Sequence, residues 1–318
     1  MLQRHLGRSG LQVSRLTLGT MTWGTQVDAY DANEMLTAYL DAGGTTIDTA
    51  PIYGEGRTEA MLGQILDASG TRDRVLLAGT CGLVRRDGGI GRDGGRGTVL
   101  DQLDRSLRDL RIDHLDLWQV HRWDPAVHVE ETLMALEHAV DSGKARYVGI
   151  SNFAPWQTAL AHTWLASRPA GHRLVGNQVE YSLLQRGPES GLVDAVEHLG
   201  MGLLAWSPLG RGILTGKYRR GVPADSRGAD PAWGQWLADY LGPDQQGVVE
   251  ALARAAEGLG ITCAQAALAW VRDRPAVGSA IVGARTTEQL AELLASESVE
   301  LPAEIVLALD DVSEGVAR

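Results

Sequence analysis

The stretch Ile47–Glu59, IDTAPIYGEGRTE, sets Asp48 and Tyr53 at the end of a short apolar run. The same arrangement recurs along the chain. His121 closes HLDLWQVH, Ser151 and Asn152 close YVGISN, Gln178 lies in GNQVEY, Trp206 in LLAWSP, and AIVGAR comes near the end. Eight short runs read as strands: 15–21, 45–49, 75–80, 114–120, 146–150, 174–179, 202–206 and 278–282. Helical patterns lie between them, among them 31–42, 99–110 and 130–142. Thr98 with Asp101 resembles a capping box, and Gly143 suits the residue just past a helix end. Strands that alternate with helices argue for a (β/α)8 TIM barrel in the α/β class. The opening segment around Arg8-Ser9-Gly10 reads as an N-terminal β-hairpin. No composition break marks a boundary, so residues 1–318 are expected to form a single domain.

Composition narrows the function. The 318 residues carry 44% hydrophobic and 22% charged residues, which reads as a soluble globular chain. A formal net charge of −11 argues against nucleic acid and against anionic membranes as partners. It leaves room for one phosphorylated cofactor in a local positive pocket. Cys81 and Cys263 are far apart in sequence, which suggests no disulfide framework and a reducing compartment. No apolar run is long enough to span a bilayer and no signal-peptide core is visible, so a cytoplasmic location is expected. Of the 29 basic residues only Lys144 and Lys217 are lysines. No His/Cys/Asp cluster has metal-ligand spacing.

Two stretches break the rhythm. Gly82–Gly97, GLVRRDGGIGRDGGRG, is expected to be a mobile loop rather than a phosphate cradle. Residues 219–247 form the longest non-periodic insert, and inserts after barrel strands gather at the catalytic rim as long loops of the C-terminal face. If the runs are parallel strands of one barrel, the residues that trail them meet at that rim. A phenol there can donate a proton to a carbonyl oxygen as it gains charge. Alone, Tyr53 also reads as a packed tyrosine, Asp48 as a cap or buried acid, and His121 as a satisfied imidazole.

Together, IDTAPIYGEGRTE, WQVHRWDP, GKARYVGISNF, NQVEYSLLQR, AWSPLGRGILTGKY and AIVGARTTEQL resemble the aldo-keto reductase family. The six motifs keep the family's order from the N-terminal hairpin to the last helix. The resemblance implies a barrel that binds NADP(H) in extended form. It also implies that Asp48, Tyr53 and His121 are three members of a catalytic four. The fourth is a lysine at the end of the third strand, and Thr80 stands there instead. No lysine precedes Lys144, so no small shift of alignment restores it. Arg85 or Arg86 is a candidate substitute cation.

The same resemblance implies cofactor contacts. Gly19, Thr20 and Met21 would lie near the nicotinamide ribose, with Asp48 beside them. Ser151, Asn152 and Gln178 would bind the carboxamide, and Trp206 would stack on the ring. Ser207, Leu209, Gly210 and Lys217 would follow the pyrophosphate. Gly283, Arg285, Gln289 and Glu292 would hold the adenosine end, although Leu293 replaces the usual asparagine. The substrate would be a small-molecule carbonyl or alcohol, met by Trp23, Tyr53, His121 and Trp123, with Trp233 or Trp236 as further rim candidates. Two functions follow as expectations. One is an NADPH-dependent oxidoreductase with Tyr53 as general acid. The other is an NADP(H)-binding sensor or interaction subunit with weak turnover, favoured by the missing lysine. The motif style resembles the longer-loop bacterial branch of the family, which includes potassium-channel beta-like and sugar-reducing members, and does not select a substrate. A barrel lyase or isomerase is the third reading.

Overall fold

The computed structural model describes residues 1–316 apart from 225, 231–233 and 239, and describes 227 and 235 by backbone alone. Two short strands, β1 (Gln3–His5) and β2 (Gln12–Ser14), pair antiparallel as the expected hairpin. Eight parallel strands then close a barrel: β3 (Leu16–Gly19), β4 (Thr46–Thr49), β5 (Leu76–Cys81), β8 (Leu115–Val120), β9 (Ala145–Ser151), β10 (Leu174–Glu180), β11 (Gly202–Trp206) and β12 (Val277–Val282). Neighbours in sequence are neighbours in the barrel, and β12 closes it by pairing with β3. Between β5 and β8 lies a second hairpin, β6 (Leu83–Arg86) with β7 (Gly89–Arg92). The fold is thus the (β/α)8 barrel expected, with strand limits within two residues of the reading at each end.

Parallel strands demand a crossover, and helices supply it between most neighbours. The first, Ala29–Asp41, starts two residues earlier than its apolar pattern suggests. The Asp28 carboxylate accepts from the backbone N–H of Tyr30 and Asp31 and fixes the start there. Helix Arg96–Leu110 corrects the expected capping box. Thr98 lies inside the helix, and the terminal donors are met from elsewhere: Glu131 Oε1 accepts from Arg96 N–H at 2.9 Å, and Asp93 Oδ1 from Gly95 N–H at 3.2 Å. Gly143 does follow a helix end, with φ 73°. Within the Gly82–Gly97 stretch, β6 and β7 pair as a hairpin whose turn holds Gly88 and ends at Gly89, and Gly94 and Gly95 lead into helix Arg96–Leu110.

The bottom of the barrel explains three strand glycines. Leu6, in the turn of the first hairpin, is fully buried among Leu11, Val13, Leu117, Val175 and Leu204. A Cβ placed on Gly176, Gly202 or Gly278 would lie 2.9, 2.7 or 2.9 Å from a Leu6 methyl carbon. The glycines make the socket that Leu6 fills. The opposite, C-terminal end is left open to function. No helix among the described residues is long and apolar enough to cross a membrane.

Emptying the socket should be costly. Leu6→Ala is expected to lower unfolding free energy by about 2–5 kcal/mol, read from urea denaturation. A loss under about 0.5 kcal/mol, typical of surface sites, would mean that the hairpin is not a structural plug.

Candidate active site at the barrel mouth

Asp48, near the end of β4, is 4% exposed. Its Oδ1 accepts from Gln178 Nε2 at 2.7 Å, a bond that crosses from β4 to β10. Burial pushes its carboxyl up to about 7, and the Gln178 bond opposes that rise. Its backbone carbonyl accepts from the Thr20 N–H and hydroxyl at 3.1 and 2.9 Å. Thr20 is fully buried, so it braces two strand ends and offers a ligand no surface.

Tyr53 opens a single turn that ends at Gly56. Gly54 and Glu55 are left-handed there, with φ 54° and 60°. A Cβ at Gly54 would lie 2.4 Å from Thr58 Oγ1 and 2.6 Å from the Trp23 carbonyl oxygen, so only glycine lets the chain turn this tightly. The turn brings Tyr53 to His121. Their ring centres are 6.5 Å apart and their planes stand at 87°. Both side chains are half-buried. The His121 N–H bonds the Cys81 carbonyl at 2.7 Å, which carries the β5–β8 ladder one residue past β8.

Charge at this pair is controlled by burial. It lowers His121 to about 4, with a smaller push from the Arg122 guanidinium, so the imidazole is neutral at physiological pH. It also raises the Tyr53 phenol well above its usual value, and the Asp48 and Glu59 carboxyls raise it further. Among the described residues no cation contributes to Tyr53. Thr80 is buried beside β4, and its hydroxyl makes one long contact, 3.5 Å to the Thr49 carbonyl. Arg85 and Arg86 do not replace the lysine. Both are exposed on the β6–β7 hairpin, where Arg86 pairs with Asp93 at 3.2 Å.

A chain of hydrogen bonds joins the next residues. Trp206 Nε1 donates to Asn152 Oδ1 at 3.0 Å. Asn152 Nδ2 donates to the His121 carbonyl at 3.0 Å and to Ser151 Oγ at 2.9 Å. Ser151 Oγ donates to the Gln178 carbonyl at 2.8 Å. Asn152 holds φ 57°, a conformation asparagine tolerates better than most residues. Along the next rim loop Ser207, Gly210, Arg211, Gly212 and Gly216 all have positive φ. Leu209 is half-buried and Lys217 exposed in that loop. Past β12, Gln289 Oε1 accepts from the Arg285 N–H at 3.0 Å, and Gly283 lies beside the Gly19 carbonyl. Met21 is half-buried and Glu292 exposed. Leu293 is only 5% exposed and packs in the core, so it cannot stand in for a polar ligand contact.

The substrate-side expectations divide. Trp123 stacks edge-on with Phe153 and Trp156, ring centres 5.3 Å apart in each case. Trp23 is a correction: at 1% exposure it belongs to the core, and its ring presents no face at the mouth. Trp236 lies under the Arg211 guanidinium at 4.2 Å, and Trp233 is outside the described residues. Three residues escaped the sequence reading. Trp156 extends the rim aromatics and is 61% exposed. Arg211 makes a two-point pair with Glu180, both contacts 2.9 Å, tying the rim loop to β10. Glu59 is 1% exposed, with Oε2 accepting from Ser106 Oγ at 3.0 Å and Oε1 unpartnered among the described residues. Its spacing was the available signal, for it shares a helix face with Leu62, Gly63 and Leu66.

Comparison with known proteins agrees with this geometry. The Aldo/keto reductase family matches residues 15–314. A Bacillus subtilis (strain 168) protein named Uncharacterized oxidoreductase YrpG is 36% identical over 320 residues, 98% of this chain and 95% of that protein. A Probable voltage-gated potassium channel subunit beta from Oryza sativa subsp. japonica is also 36% identical, over 92% of this chain and 90% of its own.

Burial pushes Glu59 up to about 8. The folded chain therefore holds this proton more tightly than the unfolded chain. Its contribution to stability is full below about pH 4, the ordinary glutamate value, and is lost as pH rises through 8. Glu59→Gln removes the titration. Its stability relative to wild type is expected to grow from pH 5 to pH 8, by at most about 1.4 kcal/mol per pH unit. Parallel urea curves at the two pH values would show Glu59 ionised in the folded protein.

Proposed function

The chain belongs to the aldo/keto reductase family, and from that premise we propose that it is an NADPH-dependent oxidoreductase that reduces a carbonyl compound, an aldehyde, ketone or sugar-like molecule, to its alcohol. The observation that carries this reading is the Tyr53–His121 pair, two half-buried proton-bearing rings 6.5 Å apart at the mouth, above a buried aspartate.

The residues present fit a nicotinamide cofactor. The rim loop after β11 carries three successive residues of positive φ, Gly210, Arg211 and Gly212, and glycines in such a loop allow a ligand close approach to the backbone. The exposed Lys217 ammonium lies 3.9 Å from where a Gly212 Cβ would be and 5.2 Å from the centre of the Tyr218 ring. Ser207, Leu209, Gly210 and Lys217 would therefore hold the pyrophosphate. Gly283, Arg285, Gln289 and Glu292 would hold the adenosine end, with the Arg285 guanidinium suited to a 2′-phosphate. Asn152 and Gln178 present amides to the carboxamide, beside Ser151, and Trp206 offers an aromatic face. When bound, the reduced nicotinamide supplies the hydride that reaches the carbonyl carbon.

The chain's own residues handle the oxygen. His121, neutral because its pKa is about 4, donates a ring N–H that orients the carbonyl without bringing a full charge. Tyr53, held well above its ordinary value, is protonated across the neutral range and donates its phenolic proton to the oxygen. The same raised value disfavours alcohol oxidation, which needs a phenolate. Trp123 and Trp156 offer flat apolar surface to the rest of the substrate.

A second reading has one observation behind it. Among the described residues Tyr53 feels two carboxyls and no cation. A nearby positive charge shifts a pKa by about 1–3 units, so turnover is slow, and the chain would serve as a nucleotide-binding sensor or interaction subunit. One of the relatives is named a channel subunit.

Titration of NADPH by fluorescence, followed by turnover over a panel of aldehydes and ketones, separates the readings. Binding with turnover is expected. Binding without it supports the subunit, and failure to bind NADPH or NADH ends both. Tyr53→Phe is expected to lower kcat by about 10²-fold or more. Thr80→Lys is expected to raise the rate by roughly one to three orders of magnitude and to move the pH profile. An unchanged rate and profile would show that Thr80 does not limit proton transfer.

A further inference from the structure

Below His121 the barrel holds a polar side chain that nothing satisfies. Gln119 precedes His121 by two residues on β8, and side chains two apart on a strand share a face. The ladder sets Gln119 beside Thr80 on β5 and Gly149 on β9. A Cβ at Gly149 would lie 3.1 Å from Gln119 Cγ and 3.3 Å from its Oε1, so the glycine is what lets the amide lie there. Thr80 takes up less of the barrel than a lysine would. Gln119 is fully buried, and neither Oε1 nor Nε2 has a hydrogen-bond partner among the described residues. His121 Nδ1 is enclosed and equally unpartnered. That leaves Nε2 as the ring nitrogen able to meet a substrate.

Three unmatched polar atoms on one strand face are not a stable arrangement, and proteins resolve such groups with ordered water. We propose that Gln119 is a positioning residue: its side-chain amide holds a water inside the barrel that donates to His121 Nδ1 and so keeps the imidazole proton on Nε2, facing the mouth. A neutral imidazole has one N–H, and the partner of one nitrogen decides which nitrogen carries it. Gln119 Nε2 donates to the water, the water donates to Nδ1, and Nδ1 can then only accept. Gln119 Oε1 accepts the water or a second one. Burial keeps His121 neutral, so the tautomer, not the charge, is what the amide controls.

The proposal rests on His121 as the group that meets the carbonyl, but its first test needs no turnover. Long-range 1H–15N correlation on the full chain with 15N-histidine, assigned with His121→Ala, reports the tautomer at pH 7. Wild type is expected as the Nε2–H form. Gln119→Leu, similar in volume, is expected to give a mixture or the Nδ1–H form. Gln119→Glu places an acceptor there and is expected to give Nδ1–H. One tautomer in all three proteins overturns the proposal, as does a wild type in the Nδ1–H form. In steady-state reduction, Gln119→Leu is expected to lower kcat about tenfold or more while the KM for NADPH stays within about twofold, a loss in the range seen when a group that orients a histidine is removed. A loss of kcat with an unchanged tautomer would mark Gln119 as merely structural and overturn the assignment. If wild type reduces no carbonyl, the reductase reading fails and the tautomer result still decides the role of Gln119.

Discussion

The site depends on parallel pairing. Because all eight barrel strands run the same way, every residue that trails a strand emerges at one rim. The hydrogen bond from Gln178 to Asp48 then crosses the mouth, and the Trp206–Asn152–Ser151 chain ties the ends of β11 and β9 to the His121 carbonyl past β8. Each bond uses a side chain whose position is already set by a backbone ladder, so little freedom is left to lose on ordering. Rigid strands hold the chemistry, and the long loops above them are left to vary.

Burial sets the electrostatics of this rim. It raises Asp48 and Glu59, lowers His121 and raises Tyr53, in each case favouring the neutral form. A site built this way avoids the cost of isolated charge in a poorly solvated space. Under the proposed reductase chemistry the result is a weak acid, because no cation among the described residues bears on the Tyr53 phenol.

Much of the fold could be read from the chain. Apolar runs of four to eight residues with turn signals fix strands well, and the polar residues that follow them were found at the mouth with Tyr53 against His121. The misreadings share a cause: a partner distant in sequence overrode a local signal. Thr98 lost its capping role because the Glu131 carboxylate reached the helix start. The hairpin inside Gly82–Gly97 was not foreseen, because the cross-strand pairing of Leu83 with Arg92 has no local signature among the glycines. Trp23 lies on a rim loop in sequence and in the core in space. Gln119 drew no notice because a lone polar residue in an apolar strand has no visible neighbours until the barrel closes.

The absent cation also bears on direction. A reductase needs its tyrosine protonated before hydride arrives, and an alcohol dehydrogenase needs the same tyrosine deprotonated. A lysine ammonium beside the phenol narrows the gap between the two states and lets one site run both ways. With threonine at 80 and two carboxyls bearing on Tyr53, the phenolate is disfavoured strongly. Loss of the charge therefore weighs unequally on the two directions. If Tyr53 is the acid as proposed, reduction would keep the correct ground state with only a harder proton release, whereas oxidation would lose its starting form. In the proposed chemistry this asymmetry follows from the environment of one hydroxyl and not from the identity of the substrate.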